Sequence, residues 1–247
     1  MKKKLLFIFT IIGSVLFMAC DSDDDEKDPK PETSTETTAE FDNTSFGLYK
    51  GVVVGSSGTI KVTFNNGNSE VKAYLKIDGR NEELTYKSTF SKDEDIKDAI
   101  FTSNTSSITF NVDKNGKNPE ISSITIEGHE DVSAVILKET SNAIAYCYEG
   151  SYTGGNSEKG IFNCVRSGNN LSGISKGENG AYVSFKGSYN DGDVSISGKG
   201  MNDVTSFDFS ATGTMDKDNT RGSWTTSWIF EGIPGTNTGT FSGKKTL

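Results

Sequence analysis

From Phe46 onward the chain alternates apolar and polar residues in short runs, and a period of two is that of a strand with one buried and one wet face. "TIKVTF" puts Ile60, Val62 and Phe64 on one side, "EVKAYLKI" does so with Val71, Ala73, Leu75 and Ile77, and "SITFNV" with Ile108, Phe110 and Val112. Between the runs stand Asn66-Gly67, Asp78-Gly79, Asn115-Gly116, Gly154-Gly155, Asn179-Gly180 and Asp191-Gly192, dipeptides that accept the positive φ of tight turns. A spacing of about ten residues between turns predicts about sixteen strands in an antiparallel meander, closing as a barrel or a sandwich. The only helix this pattern predicts is one turn near "SKDEDIKDA", residues 91 to 99.

An internal echo divides the strands. "GLYKG" at 47 to 51 returns as "GSYTG" at 150 to 154, and each copy starts a block of about eight predicted strands. The expected fold is therefore all-β, with two tandem β-barrel or β-sandwich modules at 46–142 and 143–247, or one continuous sheet system. No flexible linker separates the blocks, so they are expected to share a packed interface. The second block, a meander of short strands ending in "RGSWTTSW" and "GTFSGKK", resembles the small eight-stranded ligand-binding barrels of the avidin and lipocalin type. That resemblance is architectural and implies no particular ligand.

The first nineteen residues are built differently. Lys2, Lys3 and Lys4 precede an apolar stretch from Leu5 to Phe17, then Met18-Ala19-Cys20, the form of a secretory signal ending at a small residue. With Cys20 and the acidic "CDSDDDE" that follows, it resembles the lipobox and export signal of surface-exposed lipoproteins of the Bacteroidota. The resemblance implies lipidation at Cys20 and an outer-membrane anchor, with the body facing the cell exterior and the membrane as a partner through the lipid. Residues 20–45 read as a tether, because "KDPKPETSTETTAE" has almost no large apolar side chains with which to offset its ordering entropy.

Charge sharpens this division. Residues 21–45 hold ten acids against Lys27 and Lys30, a net of −8, whereas 46–247 carry only −4 of the whole-chain −9. The acidity belongs to the tether, and a body with no basic face is not a nucleic-acid binder.

Candidate chemistry is sparse. Cys147 and Cys164 flank the turn "GGNS" symmetrically, and a hairpin folded about it would set them opposite each other as a disulfide. The single histidine, His129, sits in the polar turn "EGHED" without a Gly-x-Ser-x-Gly motif, so histidine triads and multi-histidine zinc sites are set aside. "DKNGKNPE" departs from the order of a calcium loop, and it and "DKDN" read as turns. No metal, cofactor or catalytic residue is assigned. Glu149, Glu158, Asp208 and Glu231 are the acids that a glycosidase reading would draw on. Trp224, Thr226 and Trp228 alternate on one strand face and offer flat indoles beside a hydroxyl, as a sugar or apolar ligand needs, unless they are simply core. Tyr182, Tyr189 and Tyr152 are their expected neighbours.

These features lead to a non-catalytic surface lipoprotein that binds a glycan, a small apolar molecule or a protein. A structural or accessory subunit of an outer-membrane assembly is the second expectation, and a carboxylate-based glycoside hydrolase the third.

Overall fold

The computed structural model describes residues 36–247 apart from 56, 68–69, 87–88 and 156–157. The predicted signal, Cys20 and the acidic run lie outside the described residues. Sixteen strands are formed, in two groups of eight. The first group is β1 (Gly47–Val54), β2 (Gly58–Phe64), β3 (Lys72–Ile77), β4 (Arg80–Thr85), β5 (Ile96–Thr102), β6 (Ser106–Val112), β7 (Glu120–Ile126) and β8 (Ser133–Glu139). The second is β9 (Ala145–Gly154), β10 (Lys159–Ser167), β11 (Asn170–Gly177), β12 (Tyr182–Asn190), β13 (Asp193–Met201), β14 (Ser206–Met215), β15 (Asn219–Phe230) and β16 (Ile233–Lys245). All lie in one compact unit, Ser34–Leu247.

The first group is an antiparallel sheet in the order β7-β6-β5-β4-β3-β2-β1-β8, and the second is a closed antiparallel barrel from β9 round to β16. The alternation in the sequence is what folds: Ile60, Val62, Phe64, Ala73, Leu75, Ile77, Ile108, Phe110 and Val112 are all buried in the core of the first module. At the turns, Asp78-Gly79 and Asp191-Gly192 both take positive φ, as a two-residue hairpin turn whose twist matches the strands requires. Glu231-Gly232 does the same, a turn that the Asn-Gly and Asp-Gly pattern does not reveal.

Some expectations change. Residues 92–94 form turns and Ile96 begins β5, so "SKDEDIKDA" makes no helix. Ile96 and Ala99 are more useful as buried strand residues than one exposed helical turn would be. The only described helical turn is 3-10, at Ala39–Phe41, inside the segment expected to be tether. There Phe41 is buried, and the Lys138 ammonium donates to the carbonyls of Phe41, Thr44 and Phe46. The folded body therefore reaches back at least to Glu36, which pairs with Lys50 and Lys61.

β1 explains how the modules join. Every residue in "GLYKGVVV" is buried because one face looks into the first core, with Tyr49 and Val53. The other face packs on the barrel: Val52, Ala145, Cys147 and Val165 form a third apolar cluster with Val135, Leu137 and Leu247 at its edge. Polar contacts fix the docking, since the Asn163 amide donates to the Val53 carbonyl (2.9 Å) and the Ser167 hydroxyl to that of Lys138 (2.6 Å).

The expected disulfide is absent. β9 and β10 pair one residue out of the symmetric register, with Cys164 opposite Tyr148 and Val165 opposite Cys147. A shift of one flips a side chain to the other face. Cys164 accordingly points into the barrel core, where burial pushes its thiol up to about 12. Cys147 points out to the module interface and its thiol meets the Gly51 carbonyl at 3.2 Å.

Candidate ligand site at the barrel mouth

An eight-stranded barrel is just wide enough for side chains to fill, and this one is filled with rings. Phe162 stacks on Phe241 and Phe185, with centroids 4.4 and 5.1 Å apart, and Phe185 meets Phe209 at 5.7 Å. Glycines on neighbouring strands make room for them. A Cβ on either Gly154 or Gly239 would come within 2.7 Å of the Trp224 indole, which lies across both. This large-against-small pairing is why the second block is rich in glycine as well as in aromatics.

The two ends of the barrel differ. At one, the Arg166 guanidinium lies 4.0 Å from the ring centre of Tyr189 and 5.1 Å from that of Tyr146. The Tyr148 hydroxyl donates to the Asp216 carbonyl at 2.6 Å, and together these close that end. Beside it lies a polar surface concavity of about 830 Å³ among Asp191, Asp193, Asp216 and Arg221. No aromatic side chain lines it, and the Asp216 carboxylate is committed to the backbone N–H groups of Asp218 and Asn219, which hold its pKa below the usual carboxylate range.

The other end is open. A cavity of about 410 Å³ is lined by Trp228, Phe207 and Thr226 and by the polar Glu158, Asn179, Asn202 and Asn237, a volume within the usual range for small-molecule sites. Its walls come from the turns that follow β9, β11 and β13 and from the long β15–β16 hairpin. Trp228 lies flat on its cross-strand partner Gly235, where a Cβ would sit 2.5 Å from its Nε1. The Asn237 amide donates to the Glu158 carboxylate, and Lys159 pairs with Glu178 at 3.2 Å, so acids outnumber bases at the opening.

Below the mouth the space narrows to about 20 Å³ between Tyr152, Phe162, Phe209, Trp224 and Thr226, room for about one water. Tyr152 meets Trp224 edge to face at 5.6 Å. Burial, aided by Glu158, pushes its phenol up to about 12, so it remains a neutral donor. Trp224 is 4% exposed, and its Nε1 has no hydrogen-bond partner among the described residues. A buried donor left unpaired costs about 1–3 kcal/mol, and this one stands below the opening that Trp228 and Phe207 line.

Trp224, Thr226, Trp228 and Tyr152 are thus brought together, with Trp224 as floor and Trp228 as wall. Two expected neighbours are not. Tyr182 faces outward into a groove against Ile124 and Val135 of the first module, because Val183 takes the inward position beside it. Tyr189 does point inward, but at the plugged end. Of the four acids, only Glu158 reaches the mouth: Glu149 lies toward the first module, near Lys76 and Asp78, Asp208 is exposed beside Lys199, and Glu231 is in a turn. His129 lies 3.5 Å from Asp78, and "DKNGKNPE" closes on itself through the Asn118 amide and the Asp113 carboxylate. Phe207, Asn179, Asn202 and Asn237 were missed. Phe207 was legible by its alternation with Phe209, whereas the three asparagines come from separate turns and strands that only the closed barrel gathers.

Compared with protein-family models, curated proteins and solved structures, the chain matches none.

Proposed function

We propose that this is a lipid-anchored protein of the bacterial surface whose second barrel holds a neutral saccharide at its open end, by binding rather than by chemistry. The observation that carries the reading is the Trp224 indole N–H, buried without a partner beneath an opening walled by Trp228 and Phe207. A sugar ring has an apolar face for the aromatics and hydroxyl oxygens for the amides, and the space below has room for about one water to link a hydroxyl to the indole N–H. The balance of Glu158 and Glu178 over Lys159 disfavours anionic sugars. A small apolar molecule housed in the lumen, the lipocalin manner, is disfavoured because the lumen is already filled by phenylalanines. Display is favoured too: Glu36 hydrogen-bonds Glu139, which also accepts from Ala145 at the plugged end. Glu36, the first described residue, is therefore held at the end away from the mouth.

The test is tryptophan fluorescence of residues 34–247 during titration with neutral mono- and disaccharides, because both indoles of the chain, Trp224 and Trp228, are at the site. A saturable change that Trp228→Ala abolishes in a folded protein supports the reading. No saturable change with any of them rejects it, and turns attention to the exposed rim as a protein contact.

A further inference from the structure

The β15–β16 hairpin outruns the barrel. β14 pairs with β15 only as far as Ser227, and β9 pairs with β16 only from Gly239. From Trp228 to Gly235 the two strands have only each other, through Trp228 with Gly235, Ile229 with Pro234 and Phe230 with Ile233. By the period of two, the row Trp224, Thr226, Trp228 continues to Phe230 on β15, with Ile233 beside it. It spans about 20 Å from floor to tip at about 3.3 Å per residue.

This extension is apolar and uncovered. Phe230 is 42% and Ile233 69% exposed, and Ile229, Met201 and Val204 are exposed on the same rim. Five of the seven large apolar side chains found exposed among the described residues are therefore at this one end. A saccharide alone has no use for such a surface, and the filled lumen offers a hydrocarbon no room below the mouth. The hairpin is an apolar surface continuous with the polar opening, since Trp228 belongs to both.

Resting on the saccharide reading above, we infer that the ligand is a single amphiphile, a neutral sugar head carrying a hydrocarbon tail. The head sits in the mouth against Trp228, and the tail lies outward along Phe230 and Ile233. The polar amides fix the head, and the hairpin face removes part of the tail from water, which adds affinity in proportion to the apolar area covered.

The experiment compares glucose, galactose, mannose and N-acetylglucosamine with their octyl glycosides, held below the micelle concentration, on residues 34–247. The octyl glycoside of at least one sugar binds about tenfold or more tighter than the sugar alone. Phe230→Ser with Ile233→Ser drives that ratio toward one, and Trp228→Ala removes both. Both hairpin positions are exposed, so the double variant keeps its circular dichroism spectrum. Equal affinities for sugar and glycoside, or a ratio that survives the double variant, overturn the amphiphile while leaving saccharide binding in place. No binding of sugar or glycoside overturns both readings. Phe230-dependent binding to plain phosphatidylcholine vesicles overturns the single amphiphile in favour of insertion into a bilayer.

Discussion

Replacing Lys50 by methionine tests how the two modules are held. The Lys50 and Glu139 side chains are fully buried, with Nζ 2.9 Å from Oε2 and the Glu36 carboxylate at 3.1 Å. Glu139 also accepts from the backbone N–H groups of Glu36 (2.6 Å) and Ala145 (3.1 Å). Lys50→Met removes the cation and strands a buried carboxylate. Breaking a buried pair from one side costs about 3–5 kcal/mol, and the two remaining N–H donors put this case at the lower end, about 3 kcal/mol. For a body of this size 1 kcal/mol moves Tm by about 2–4 °C, so a fall of about 6–12 °C is expected. Urea unfolding followed by circular dichroism gives the free energy. Lys50→Met combined with Glu139→Gln recovers part of the loss, because the neutral amide oxygen still accepts from a backbone N–H and no charge is left stranded. A single variant within about 1 kcal/mol of the parent refutes the reasoning, since an ion pair that is weak in a dry setting must in fact be hydrated.

Three more outcomes follow from particular residues. Cys147 and Cys164, buried on opposite faces of the β9–β10 pair, resist alkylation in folded protein and both react once it is unfolded without reductant; a mass showing a bridge would contradict the register. β4 and β5 share one ladder pair, Thr85 with Thr102, and Glu82 spans the seam by accepting from the hydroxyls of Ser103, Thr105 and Ser106. Burial works to raise the Glu82 pKa, but these hydrogen bonds outweigh it and hold it below the usual carboxylate range. Its contribution is full above the unfolded pKa and is lost as pH falls through the folded one, so Glu82→Gln costs about 1–2 kcal/mol at neutral pH. The difference from the parent shrinks in acid, and a difference independent of pH in urea titrations would count against it. Gly235→Val displaces the Trp228 indole, shifting its emission and weakening the proposed saccharide binding with little loss of Tm, because the hairpin there pairs only with itself; unchanged emission would show that the indole does not rest on Gly235.

The structure separates what was readable from what was not. Strand faces were readable because burial follows a period of two, and Ile60, Val62 and Phe64 need no partner to declare it. Turns were readable where Asn-Gly or Asp-Gly carried the positive φ, and unreadable at Glu231-Gly232. The echo of "GLYKG" and "GSYTG" marks two strands with corresponding roles, each placing its tyrosine, Tyr49 and Tyr152, in a core. Trp224, Thr226 and Trp228 were recognisable as one face, but not as floor and wall of an opening. Tyr182 and Tyr189 were misplaced because nearness along a strand fixes neither which end of a barrel a residue occupies nor which face it turns inward.

By itself, then, the sequence determined the alternation, the turns and the division into two blocks of strands, all local consequences of side-chain chemistry and backbone sterics. Tertiary structure alone decided the one-residue register that keeps Cys147 from Cys164, the plugging of one barrel end by Arg166, and the gathering of Glu158, Asn179, Asn202 and Asn237 around Trp228. Those depend on how eight strands close and stagger, and that closure is set by the sum of many glycine-against-ring contacts between segments far apart in the chain.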